Sequence, residues 1–149
     1  MLVQTKEGVP AVGPVSALDQ NDAKYGAASG VLANGAKLED DPAASDGKTI
    51  QELHLADSYV EFNQVSGGSN GGRATVCVHY ATAEKARLKL LVNGIDWSFL
   101  NIPATGGWDQ YKGQAYLTVP LGAGSTNIVR LEGGYGGVNV DYLTVTPLP

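Results

Sequence analysis

Through its second half the chain alternates between apolar and polar residues. In SYVEFNQV (Ser58–Val65), Tyr59, Glu61 and Asn63 oppose Val60, Phe62 and Gln64. In RATVCVHYA (Arg73–Ala81), Ala74, Val76, Val78 and Tyr80 fall on one face, with Thr75, Cys77 and His79 on the other. A period of two marks a strand with one face in a core. ARLKLLVNGIDW continues the pattern, with Leu88, Leu90 and Val92 alternating with Arg87 and Lys89. Asn93-Gly94 then supplies two residues suited to positive φ, as a type I′ hairpin turn requires, and SFLNIPA returns the chain. QAYLTVPL (Gln114–Leu121), TNIVRLEG (Thr126–Gly133) and VNVDYLTV (Val138–Val145) add three more strands, separated by the glycine loops 122–124 and 133–137. Strand signals at intervals of about 8–12 residues predict an all-β sandwich. Only Ala81–Arg87 reads as a short helical stretch, and no internal repeat is visible. Residues 1–24 lack periodicity and carry two prolines, so they read as an N-terminal arm or linker ahead of one domain over 25–149.

One large apolar residue breaks the alternation. GGWDQY (Gly106–Tyr111) sets Trp108, one of two tryptophans, among glycines and polar residues rather than in a stripe. Such a ring is either held out for a ligand or packed at the sandwich edge. Tyr135, with two glycines on each side, raises the same choice between an exposed platform and a lid over the core. Trp97, on the strand after the Asn-Gly turn, reads as core or sheet surface.

Composition narrows the field. A chain of 149 residues with 20 glycines fits one domain of short strands and turns rather than long helices. No run approaches 18 apolar residues, so no membrane-spanning helix is expected. Met1-Leu2-Val3 passes at once into polar residues, which gives no signal-peptide pattern. The single cysteine, Cys77, precludes an internal disulfide framework. A net charge of −5 and the lack of a basic cluster disfavour nucleic acid as a partner.

Other chemistry has thin support. Cys77 and His79 share a strand face, but a half-buried strand pair explains them better than a nucleophile and its base. His54 has no second histidine at zinc spacing. Glu39-Asp40-Asp41, with Asp46 nearby, reads as a solvated loop, half of a glycosidase carboxylate pair, or a hard-cation site. Asp109 is the only acid adjacent to Trp108 in sequence.

The order of these pieces carries a resemblance. YGAASGVLANGAKL, ASDGKTIQELHLADSYVEFNQV, RATVCVHYA, RLKLLVNG, ATGGWDQY, LTVPLGAGSTNIVRLEGG and GGVNVDYLTV follow one another as in carbohydrate-binding modules of families 35 and 6, from about Tyr25 to Val145. The resemblance implies a galactose-binding-like β-sandwich jelly roll without catalytic activity. It further implies a secreted protein in which the module is covalently linked to a glycan-active catalytic domain and holds it near a polysaccharide. The sugar would bind in loops at one edge, stacking on Trp108 and hydrogen bonding to Asn139, since an indole face suits the apolar C–H face of a pyranose. Tyr135 would be a second platform for sugar, and Tyr111, three residues beyond Trp108, would support the turn or line the cleft. Lys48, Arg73 and Lys112 are candidates to meet a uronate, or are ordinary solvated cations. The same resemblance raises a structural calcium, which relatives hold with the two acids of Tyr-Glu-Ala-Glu and an aspartate of the last strand. Asp141 matches that aspartate, but Gly26 and Ala28 stand where the acids would be. Asp19, Asp22 or the 39–41 run would then have to supply ligands. The competing functions are an adhesion or protein-interaction sandwich and a small jelly-roll glycan-cleaving enzyme, the latter needing two carboxylates beside Trp108.

Overall fold

The computed structural model describes residues 23–148, so most of the arm expected over 1–24 lies outside it. Eleven strands are formed among the described residues. They are β1 (Ala23–Gly26), β2 (Val31–Ala33), β3 (Lys37–Asp40), β4 (Lys48–Gln51), β5 (Tyr59–Val65) and β6 (Gly72–Ala81). β7 (Ala86–Val92), β8 (Ile95–Ile102), β9 (Gly113–Leu121), β10 (Asn127–Glu132) and β11 (Asn139–Pro147) complete the set. One sheet runs β9-β6-β11-β4-β3, with β1 also paired to β11; the other runs β2-β5-β10-β7-β8. All pairings are antiparallel. The all-β sandwich is therefore as the alternation predicts.

Its core is built by the inward residues of both sheets. Val76, Val78, Tyr80 and Leu143 face Val60, Phe62, Leu88, Leu90 and Leu131, all buried. Each fully buried aliphatic or phenyl side chain contributes about 1.5–3 kcal/mol relative to exposure. The β7–β8 hairpin turns through Asn93 (φ 51°) and Gly94 (φ 83°), the left-handed pair expected there.

Two readings need correction. Residues 81–87 form no helix: Ala81 ends β6, Ala86 begins β7, and the connection is too short for helical turns. Thr82 fastens it instead. Its hydroxyl donates to the Glu84 and Gly137 carbonyls at 2.6 and 2.8 Å, and its backbone N–H donates to Thr105 Oγ1 at 3.1 Å. Strands β1–β4 were not marked by alternation, because they are only three or four residues long and one of them, β3, is exposed throughout.

Candidate functional site

The loops at the Ala81 end of the sandwich are tied together before they present anything to solvent. Tyr80 reaches from the core and donates its hydroxyl to the Pro103 carbonyl at 2.9 Å, while burial pushes its pKa above the ordinary tyrosine value. Thr105 N–H donates to the Thr82 carbonyl at 2.9 Å, and Gly107 bridges Thr82. The chain therefore reaches Trp108 on a rigid lead, and Gly106 turns it with φ +106°, which a side chain would strain.

Trp108 is 45% exposed. Its indole rests against Gly137, where an added Cβ would stand 2.8 Å from Cη2. Asn139, only 9% exposed, donates from Nδ2 to the Trp108 carbonyl at 2.9 Å. So one glycine backs the ring and one amide holds the turn that carries it. Neither role is visible from local spacing, because Gly137 and Asn139 lie about thirty residues downstream.

Tyr111 joins the same end. Its hydroxyl donates to Asp41 Oδ2 at 2.7 Å, 70 residues away in sequence. Burial and the hydrogen bond to Asp41 raise the phenol well above its ordinary value, with Thr49 and Asn139 opposing the rise. Asp41 is thus drawn toward the tryptophan turn, which is half of what a carboxylate pair would need. Its oxygens are already engaged, however: Oδ2 by Tyr111 and Oδ1 by the Ala43 N–H at 3.0 Å. Asp40 pairs with Lys48, and Asp109 accepts from Gln110 at 3.4 Å.

Tyr135 is 39% exposed and does not cap the core. It meets Phe99 edge-on, with ring centroids 4.8 Å apart. The Arg87 guanidinium lies 4.1 Å from the Phe99 centroid and 5.3 Å from that of Tyr135. Tyr135 and Arg87 border an open groove of about 680 Å³ that Lys85, Asn101 and Pro103 also line. Gly136, one residue on, packs against Ala86, so the loop that backs Trp108 also carries Tyr135. Arg87 and Lys85 were missed as candidates. The alternation places Arg87 on the outer face of β7, but only the fold brings Tyr135 and Phe99 to it.

The remaining candidates separate. Arg73 opens β6 and lies eight residues from Ala81, or ~26 Å along the strand, at the opposite end from Trp108. It therefore does not join this site. Lys48 is near the Asp41 loop but pairs with Asp40. Trp97 is on the outer surface of β8 at 40% exposure. His79 stacks on Tyr142 at 4.1 Å, away from the turn. Asp141 is 4% exposed, and its carboxylate accepts the Ser45 N–H at 3.1 and 3.2 Å and the Ser45 hydroxyl at 3.1 Å. A calcium ion wants six to eight oxygens. Among the described residues no three acids, histidines or cysteines gather to hold a metal, and Glu39–Asp41 do not reach Asp141. Asp19 and Asp22 lie outside the described residues. The donors present do not fit the ion.

Comparison with known proteins identifies the family and the fold. The family model described as carbohydrate binding module (family 35) matches residues 43–145. No curated protein sequence matches the chain. Among solved structures, a family 35 module from Clostridium thermocellum is 23% identical with a TM-score of 0.73, covering 85% of this chain and 98% of that one. The C-terminal family 6 module of LamC from Zobellia galactanivorans is 22% identical with a TM-score of 0.69, covering 85% and 99%. An exo-β-1,3-galactanase from Phanerochaete chrysosporium, solved with β-1,3-galactotriose, is 21% identical with a TM-score of 0.70; the match covers 84% of this chain but only 29% of that longer one. The family is one of non-catalytic binding modules with sugar ligands. The chain belongs to family 35 of the carbohydrate-binding modules.

Proposed function

We propose that this module binds its glycan by stacking a sugar ring on Trp108, with the chain extending over the 133–137 loop toward Tyr135. The observation that supports it most is the state of the indole. A ring nearly half exposed, backed by Gly137 and fixed through Asn139, is an apolar surface prepared before any ligand arrives. A rigid platform spares the ordering cost of binding, so a shallow contact still yields useful affinity. Asn139 contributes by holding the turn, giving one Nδ2 hydrogen to the Trp108 carbonyl; its second N–H and its carbonyl oxygen are further hydrogen-bonding groups at the same place. Tyr135 and Arg87 add a second ring and a cation along the groove.

Its biological role would be to hold a linked catalytic domain close to polysaccharide, raising effective concentration without chemistry. The galactanase whose chain is matched over 29% of its length motivates that reading and makes β-1,3-galacto-oligosaccharides the first ligands to try. A glycan array probed with the module and with Trp108→Ala tests the binding claim. Retention of a defined sugar by the module, with at least a tenfold weaker signal for the variant, is expected; a tenfold loss corresponds to ~1.4 kcal/mol. Equal binding by both would overturn the stacking mechanism.

A further inference from the structure

The resemblance in sequence implies a structural calcium at the last-strand aspartate, yet Asp141 is served from within the chain. We infer that Ser45 and the Lys24 ammonium replace a bound divalent cation, making this module's fold independent of calcium. Four observations converge. Asp141 is almost fully buried at a bulge of β11, between Val140 and Tyr142 in its pairing with β6, so its charge needs partners. The loop between β3 and β4 folds over it and supplies two donors from Ser45 alone, the backbone N–H and the hydroxyl. The same loop positions Asp46 against β1: Lys24 Nζ lies 3.3 Å from Asp46 Oδ1, 3.2 Å from Oδ2 and 3.4 Å from Ser45 Oγ. Lys24 also sits 4.4 Å over the Tyr142 ring, next to Asp141 in sequence. One positive charge thus serves the acidic loop and the strand end together.

The missing acids fit the same account. A Cβ at Gly26 would stand 3.2 Å from Asp46 Oδ2, so an acid there would face another carboxylate. Ala28 has no side-chain oxygen, and Ser29 donates its hydroxyl to the Gly26 carbonyl at 2.7 Å, engaging an acceptor of that turn. Loop 41–47 is closed by its own contacts: Asp41 N–H donates to the Gly47 carbonyl at 3.0 Å and Ala44 N–H to the Asp41 carbonyl at 3.0 Å.

Thermal unfolding decides the matter and does not involve sugar, so failure here and failure of the glycan reading are distinguishable. The module is dialysed against EDTA and melted with and without millimolar calcium chloride. Ser45→Ala and Lys24→Met are melted in both conditions. The expected result is one melting temperature for the unmodified module in both conditions. Ser45→Ala should melt lower by about 2–8 °C. Lys24→Met should show a smaller fall that high salt erases, since its pair is half exposed. Neither variant should be rescued by calcium. A rise in the melting temperature of the unmodified module with calcium would overturn the inference, as would both variants melting with it.

Discussion

Gly137 and Trp108 form the smallest unit on which the proposed stacking mechanism depends. The indole rests where a methyl group would have to go, with 2.8 Å between the added Cβ and Cη2. Gly137→Ala should therefore tilt the ring without touching the core. Sugar affinity is expected to fall several-fold while the melting temperature stays within about 2–4 °C, a span worth roughly 1 kcal/mol at this size; titration calorimetry beside a melt would check both. Tyr111 offers a different readout. Its phenol is held neutral by burial and by Asp41, so its folded pKa exceeds the unfolded value near 10. A group with a raised folded pKa contributes stability fully below its unfolded pKa and loses it as pH climbs through the folded one. Melting temperatures should thus fall as pH rises above 10, and Tyr111→Phe should flatten part of that fall. Tyr80 and Tyr142, also raised chiefly by burial, contribute in the same direction. An identical alkaline profile for Tyr111→Phe would remove the Tyr111–Asp41 bond from the account.

Among the elements, the long strands carry the fold and the short ones carry the loops. Leu90 sits mid-β7 with no exposure, between the two sheets. Leu90→Ala should cost about 2–5 kcal/mol, the range for a buried leucine whose cavity only partly collapses. Urea unfolding would measure it, and a loss below 1 kcal/mol would mean the core rearranges there. These strands were legible because six to ten residues show a period of two clearly. Strands of three or four residues do not, so β1–β4 were read only as part of a resemblance in residue order. The missed connection at 81–87 has a similar cause: its alanines favour a helix, but Thr82 shares its hydroxyl between the nearby Glu84 carbonyl and the distant Gly137 carbonyl and fixes a strand-to-strand crossing. At the exposed edge, β3 carries Lys37, Glu39 and Asp40, which discourage pairing with another sheet.

For the whole molecule, what counts is which loops share an end. Trp108 drew notice in sequence because glycines flanked it, and Tyr135 for the same reason. Both are partly exposed at the end where β6 meets β7. Arg73 was grouped with them by charge and loop position alone, and the fold puts it at the far end of β6. Arg87 went unremarked, because nothing within ten residues reveals that Phe99 and Tyr135 will close around it. Contacts of this kind depend on strand order, which a period of two does not encode. The same holds for Ser45 and Asp141, 96 residues apart, whose bond explains why a conspicuous aspartate lacks acidic company.

The most direct test of the central claim isolates the one indole that matters. In a Trp97→Phe background Trp108 is the only tryptophan, and its emission can be followed while the strongest oligosaccharide from the array is titrated in. The account predicts a saturable change in intensity or wavelength whose midpoint matches the calorimetric dissociation constant. Sugar binding by calorimetry with no change in Trp108 emission would contradict it and move the site elsewhere on the sandwich.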